Sequence, residues 1–479
     1  MRKEINIKRI LDTTLREGEQ CPGVYFSPTE KCKIAEMLYE VIGEKAYIEI
    51  GQPYSPKYFE GVKAVVDFFK ERGYNAKLLG HCRTLKEDVD IAWRCGVWGV
   101  IVVLAPSQKH LTYKLDGLSY EAALKRIYET IYYAKNKLGF DFVGYTAEDA
   151  TSTPIERLID VAKVAVEAGA DVIRIPDTKG QAFPEDFKFL IKTLVENIDA
   201  EFDVHCHNDR GLALANTLAG LEGGATGAHV SVMGIGERCG ITDLALLAEN
   251  LETFYNIRTG VNFKSIPKLY SYVSAVSGIP VPPNLPIIGI FSRTHKAGTH
   301  QKSVLRCPET YETINWEKYG LERVFEFGAM QSKELINMLL ANFNVSLEVK
   351  NRIVEKIRDI SSSRGRPLRQ PEVLRIIGEE TGFPEIILSK SESESIDAII
   401  FIKVKPSCDE LTLIKNIRKL FMKYSVPVRI RDIAGNWDFI LDVKDVKNAK
   451  LLDQITRELR MENVDIIETS TSIVFDEYK

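Results

Sequence analysis

EFDVHCHNDRGLALANTLAGLEGGA (residues 201–225) reads as one strand running into one helix, with its chemistry at the seam. On a strand, residues two apart point to the same face, so His205 and His207 can reach one point in space. Polar groups gathered where a strand gives way to its helix are what the mouth of a (β/α)8 barrel requires. Working outward, units of the same kind fill the chain. Strand-like runs are IKRILDTT (7–14), AYIEIG (46–51), AKLLGH (76–81), GVIVVLA (99–105), DFVGYTA (141–147), DVIRIP (171–176) and GAHVSVM (227–233). Each precedes a helix-like stretch, of which PIERLIDVAKVAVEAGA (154–170) has the clearest amphipathic period. With 201–207 these make eight units in about 250 residues, which predicts a closed TIM barrel over residues 1–262 rather than an open doubly wound sheet.

After Gly260 the rhythm changes. GIPVPPNLPIIG (278–289) is proline-rich, and helical subdomains are expected over 263–390, broken at SSSRGRP (361–367). SESES (391–395) reads as a polar hinge. Beyond it, strand 397–405, helix 408–424, strands 426–433 and 436–443, helix 446–460 and a last strand from 463 predict a βαββαβ, ferredoxin-like domain over 396–479.

Composition excludes several classes of function. The 479 residues carry a net charge of −4, so no broad basic surface advertises nucleic acid or an anionic membrane. The most apolar run, Gly96 to Ala105, is far short of the ~18 residues of a membrane span. No signal-peptide pattern opens the chain, and the eight cysteines include no CxxC pair, so a cytoplasmic enzyme without a disulfide framework is expected.

The barrel reading makes a demand on the polar residues, and they meet it. Arg16 and Glu17 follow the first strand, Glu49 lies near the end of the second, and His81 ends the third. Thr146 and Glu148 close the fifth, Thr178 follows the sixth, and His205 and His207 end the seventh. An isolated HxH is more often a pair of hydrogen-bonded strand-end histidines than a metal site. Glu17 arriving from the first strand reverses that balance: two imidazoles and a carboxylate suit a divalent ion that also binds substrate. Cys206 points the other way and reads as packing. His110 and His229 read as surface or supporting residues without an assigned role. GIGERCG (234–240) has glycines able to bring backbone close to a ligand, and a tight turn explains them equally well.

LDTTLREGEQ (11–20) and HCHNDRGLALANTLAGLEGGA (205–225) resemble the two signatures of the isopropylmalate synthase/homocitrate synthase family, and VMGIGERCG (232–240) and THKAGTH (294–300) extend the match. The resemblance implies a Claisen-type condensation of acetyl-CoA with a 2-oxo acid. It implies Glu17, His205 and His207 as ligands of Mg²⁺, Mn²⁺ or Zn²⁺, and Arg16 as the group polarising the substrate ketone. Gln20, Glu49, His81, Thr146 and Thr178 match substrate-binding positions, and Glu148 a catalytic one. His300 and Tyr311 match residues that reach into the neighbouring subunit's barrel, so a homodimer is implied, with His300 and a carboxylate partner as the base. His295 matches a more structural position. IDAIIFIKVK (396–405) and RDIAGNWDFILDVK (431–444) resemble the ligand-binding domain of Lrp/AsnC-type regulators, which implies an amino-acid effector such as lysine or leucine.

On the identity of the 2-oxo acid the resemblance divides. His81 in GHCR and Ile241-Thr242 are similar to the homocitrate branch, which uses 2-oxoglutarate, whereas Pro176 in IPDT is similar to the isopropylmalate and citramalate branch. Gly144 stands where homocitrate synthases carry an arginine for the distal carboxylate. Either Arg83 or Arg174 compensates, or the substrate is pyruvate, oxaloacetate or 2-oxoisovalerate. A lyase or aldolase of the same barrel superfamily is the alternative from another class.

Overall fold

The computed structural model describes residues 5–43, 46–341, 343–368, 370–382, 396–405, 408–432, 438–447 and 449–474. Eight parallel strands close into a barrel in sequence order: β1 (Arg9–Asp12), β2 (Tyr47–Gly51), β3 (Lys77–Arg83), β4 (Gly99–Leu104), β5 (Phe142–Ala147), β6 (Val172–Asp177), β7 (Phe202–Cys206) and β8 (Gly227–Val230). β8 returns to β1 with Leu11 opposite His229, which closes the ring. Every expected strand is present. β3 runs two residues past His81, which therefore lies within the strand rather than at its end.

Helix boundaries follow local chemistry. Helix Pro28–Ile42 opens with a reciprocal capping box between Ser27 and Glu30, with proline at its first turn. Helix Ile155–Glu167 buries Leu158, Val161, Ala162 and Ala165, the helical stripe expected of an amphipathic barrel helix. Inside the barrel, Leu11, Leu79, Ile101, Phe142 and Val172 form an apolar plug. At that depth polar groups are costly unless paired.

The barrel unit runs through Val273 and takes in Ser277–Ile279. Helix Ile266–Ser277 lies in it through Val273, with Leu269, Tyr270 and Val273 buried. The Tyr270 hydroxyl also accepts from the Ala245 amide and donates to Asp243, anchoring the helix to the segment after β8.

The second unit spans Pro280–Lys479. Its helices include Gly298–Arg306, Lys333–Leu339, Leu347–Arg364 and Gln370–Thr381. They pack around Leu335, Ile336, Ile353, Ile357 and Ile377. The break expected at 361–367 falls at Gly365, in the left-handed region with φ 64°. A short parallel pair, β9 (Thr294–His295) with β10 (Val324–Phe325), was not legible in the sequence, because two-residue strands carry no period. The last segment follows the expected βαββαβ order. β11 (Ile396–Val404), β12 (Val428–Asp432), β13 (Phe439–Val446) and β14 (Ile466–Val474) form an antiparallel sheet in the order β12-β13-β11-β14. Helices Glu410–Lys423 and Ala449–Glu462 bury Ile417, Phe421, Ile455 and Leu459 in a core shared with the sheet. The proposed hinge at 391–395, and all of the Gly-Asn-Trp-Asp turn but Asp438, lie outside the described residues.

Candidate active site

Glu17, His205 and His207 come together at the C-terminal rim of the barrel. One potential ligand atom from each lies within 4.8 Å of the others, and all three residues are buried. Nε2 of His205 is 3.7 Å from Glu17 Oε2, and Nε2 of His207 is 4.0 Å from Oε1. These separations are too long for hydrogen bonds and suit an ion held between the three groups. Burial keeps both imidazoles below their ordinary pKa, His205 far below, so each offers a neutral lone pair. The donor set fits a divalent metal with positions left open for substrate.

Backbone geometry makes room for Glu17. Its Oε1 accepts from the Glu237 amide at 3.0 Å. A Cβ on Gly236 would stand 2.9 Å from Glu17 Cγ and 3.0 Å from Oε1, so the GIGERCG loop approaches the carboxylate as only glycine permits.

Arg16 joins this cluster to a second one. It donates to Glu17, to Gln20 at 3.2 Å and to Glu49 Oε2 at 2.9 Å. Glu49 is wholly buried and is also met by His81 Nδ1 at 2.8 Å and Arg174 Nη1 at 3.1 Å. Burial alone would raise its pKa, but Arg16, His81 and Arg174 hold it well below the usual carboxylate range. Burial also lowers His81, with Glu49 offsetting only part of the effect.

Thr146 sits opposite Arg174 in the β5–β6 register, and its buried hydroxyl has no hydrogen-bond partner. The Thr178 hydroxyl accepts from the Asp149 amide at 2.9 Å. Glu148 is gripped by Lys114, which lies 2.6 Å from both of its oxygens. Neither Thr178 nor Glu148 shares a hydrogen bond or ion pair with the Glu17–His205–His207 cluster. Of the two arginines considered for the Gly144 vacancy, Arg83 is half-exposed and bound to Asp88 at 2.8 Å, whereas Arg174 is buried in the barrel.

In the second unit, His300 stacks on Tyr311 with ring centroids 3.8 Å apart. The carboxylate partner expected for His300 is not found among the described residues. Glu312, next to Tyr311, is taken by His295 at 2.7 Å and by both arms of Arg323 at 2.6 Å. His295 is thereby held in one network with Glu312 and Arg323.

His229, read from the sequence as a surface or supporting residue without a role, is buried, with Nδ1 3.3 Å from His205 Nδ1 and Nε2 3.4 Å from Asp203 Oδ2. Asp203 in turn binds Arg9 at 2.8 Å. β7 and β8 place Asp203 opposite Gly227, where any Cβ would collide with the Asp203 carboxylate, a pairing that no local pattern in the sequence carries. Cys206 is fully buried, and burial raises its thiol far above the range of a nucleophile.

Residues 8–273 match the HMGL-like family model, and residues 287–364 match the homocitrate synthase post-HMGL domain-like model. The chain belongs to the HMGL-like family. Homocitrate synthases of Saccharolobus islandicus strain L.S.2.15 and of Sulfurisphaera tokodaii are each 35% identical to it over 97% of this chain and 98% of theirs. Its barrel is also similar to the crystal structure of the Bacillus subtilis HMG-CoA lyase, with a TM-score of 0.51 and 20% identity, covering 59% of this chain and 97% of that one. This last likeness concerns fold alone. No helix among the described residues is long and apolar enough to cross a membrane.

Proposed function

We propose that this HMGL-like chain condenses acetyl-CoA with 2-oxoglutarate and that water then hydrolyses the thioester, releasing homocitrate and CoA, with Glu17, His205 and His207 holding a divalent ion. The observation that carries the reading is the convergence of those three side chains beside the Arg16 guanidinium. The full-length similarity to homocitrate synthases, including the domain after the barrel, favours a synthase over a lyase.

A divalent ion such as Mg²⁺, Mn²⁺ or Zn²⁺, held by Glu17, His205 and His207, would supply a Lewis acid for the 2-oxo acid. Arg16, fixed by Glu49 and Gln20, is placed to donate to the ketone oxygen as it gains charge. Neutral His81 and ionised Glu49 hold that arginine in one orientation. His300, with Tyr311 stacked on it, is the base for the acetyl methyl proton, offered to the barrel of a second subunit. Glu148, which matches a catalytic position, is the carboxylate we propose to act with it. The assembly is therefore a homodimer with shared sites. Residues 396–479 bind an amino-acid effector, lysine or leucine, as feedback control, and truncation after residue 390 should leave catalysis while abolishing inhibition. The eight cysteines carry no disulfide, in keeping with a cytoplasmic enzyme.

Release of free thiol from acetyl-CoA with 2-oxoglutarate, oxaloacetate, pyruvate and 2-oxoisovalerate tests the assignment. The highest kcat/KM should belong to 2-oxoglutarate, and a higher value for any of the others overturns that choice of substrate.

A further inference from the structure

Arg174 heads the fully buried side chains among the described residues by size, and it is under-used. Among the described residues only Nη1 has a hydrogen-bond partner, Glu49 at 3.1 Å; Nε and Nη2 have none. Glu49 cannot balance it alone, because the same carboxylate also serves Arg16 and His81. Asp203, opposite Arg174 in β7, is occupied by Arg9 and His229. Across the register on the other side stands Thr146, whose Oγ1 is likewise buried and unpartnered. Two guanidinium nitrogens and one hydroxyl thus lie on paired strands, desolvated and without an acceptor. Leaving such donors bare is costly, and a ligand carboxylate removes the cost by accepting from them in the planar, two-pronged geometry that suits arginine.

The neighbourhood fixes where such a carboxylate would belong. From Glu17 the contacts run through Arg16 to Glu49 and then to Arg174, so a single carboxylate separates the two guanidinium groups. A Cβ on Gly144 would meet Ile101 Cδ1 at 2.7 Å and Val172 Cγ1 at 3.0 Å, with Arg174 Nε 3.7 Å away. Position 144 is therefore closed to a longer side chain unless its neighbours shift, and the cation in this layer comes from β6.

We propose that Arg174, assisted by the Thr146 hydroxyl, binds the second carboxylate of the 2-oxo acid and makes the enzyme select dicarboxylic substrates. This deepens the proposed condensation and rests on it. Arg16 and the rim cluster would hold the 2-oxo end, while Arg174 measures the chain to the far carboxylate.

The test compares kcat/KM for 2-oxoglutarate, oxaloacetate and pyruvate in metal-loaded wild-type protein and in Arg174→Gln, Arg174→Lys and Thr146→Val, with thermal melting of each. In Arg174→Gln the ratio of dicarboxylic to pyruvate kcat/KM should fall about 100-fold, mainly through KM, because a charged acceptor loses its partner. Arg174→Lys should recover part of that ratio, and Thr146→Val should lower it about 10-fold. If Arg174→Gln fails to fold, the lysine and valine variants carry the test. Equal losses on pyruvate and the diacids would overturn the inference, leaving Arg174 as a support for Glu49. If oxaloacetate proves the best wild-type substrate and the ratio still collapses in Arg174→Gln, the 2-oxoglutarate assignment fails and this inference stands. A wild-type preference for pyruvate over both diacids overturns both.

Discussion

The imidazoles of His229 and His205 meet Nδ1 to Nδ1 at 3.3 Å, and this contact sets the tautomer of a candidate metal ligand. Burial, with Arg174 adding to it, lowers His229 to about 4, and burial holds His205 well below its usual value, so both rings are neutral at pH 7. The Asp203 carboxylate can only accept, so the His229 Nε2 facing it carries the hydrogen. His229 Nδ1 is then an acceptor, His205 Nδ1 donates to it, and His205 turns a bare Nε2 toward Glu17.

Replacing His229 with glutamine removes that orientation while leaving Glu17, His205 and His207 in place. Affinity for Mn²⁺, read by competition with a chelator, should fall about 10- to 100-fold. Unchanged affinity would mean that the Nδ1 contact does not govern the ligand.

Asp12, fully buried at the end of β1, is pushed up to about 7 by burial, with Asp243 and Glu49 adding to the effect against two hydrogen bonds from Thr14. The native state thus keeps a proton that the unfolded chain releases near pH 4. The resulting stability is present below that value and is lost as pH rises through about 7. Asp12→Asn has no such loss, so its stability relative to wild type should increase between about pH 4 and pH 7, by at most about 4 kcal/mol, and level off above that. Titration of His229 is common to both proteins and cancels in the difference. Denaturant midpoints that stay parallel across this range would contradict the assignment.

At Gly236 the prediction is steric. An alanine Cβ would press on Glu17 Cγ at 2.9 Å and turn the carboxylate away from the two histidines. Gly236→Ala should lose about 10-fold in metal affinity with little change in melting temperature, because the residue lies in a loop and not in the barrel core. Wild-type metal content after dialysis would count against it.

The proposed sharing of active sites can be tested by complementation. Glu17→Ala and His300→Ala chains should each be inactive alone. Mixed heterodimers should regain roughly a quarter to a half of wild-type activity, since one of their two sites is intact. Verified heterodimers without activity would place His300 and Glu17 of the same chain in one site.

Much of the barrel was legible from β1 to β8 because each strand is a short β-rich run bounded by turns, followed by an amphipathic helix. The His-x-His spacing on β7 was enough to place two imidazoles on one face, because strand geometry is local. Their place after the first strand put Arg16 and Glu17 at the same rim, and the resemblance at 11–20 implied their roles. What local pattern could not supply was pairing across strands. Whether Glu49 meets Arg16, His81 or Arg174 depends on the register of β2 with β3 and on the curvature of the closed ring, neither of which is written in any one segment.

The sequence by itself determined the order of elements, the identity of the rim residues and the family to which they belong. The tertiary structure alone decided that His229 is buried against His205, that Glu312 serves His295 and Arg323 instead of His300, and that Arg174 stands inside the barrel with two nitrogens unpaired. The physical reason is the same in each case. A polar side chain's role is set by what desolvates it and which partner reaches it, and both come from residues distant in the chain: 24 positions for His229 and His205, and 125 for Arg174 and Glu49.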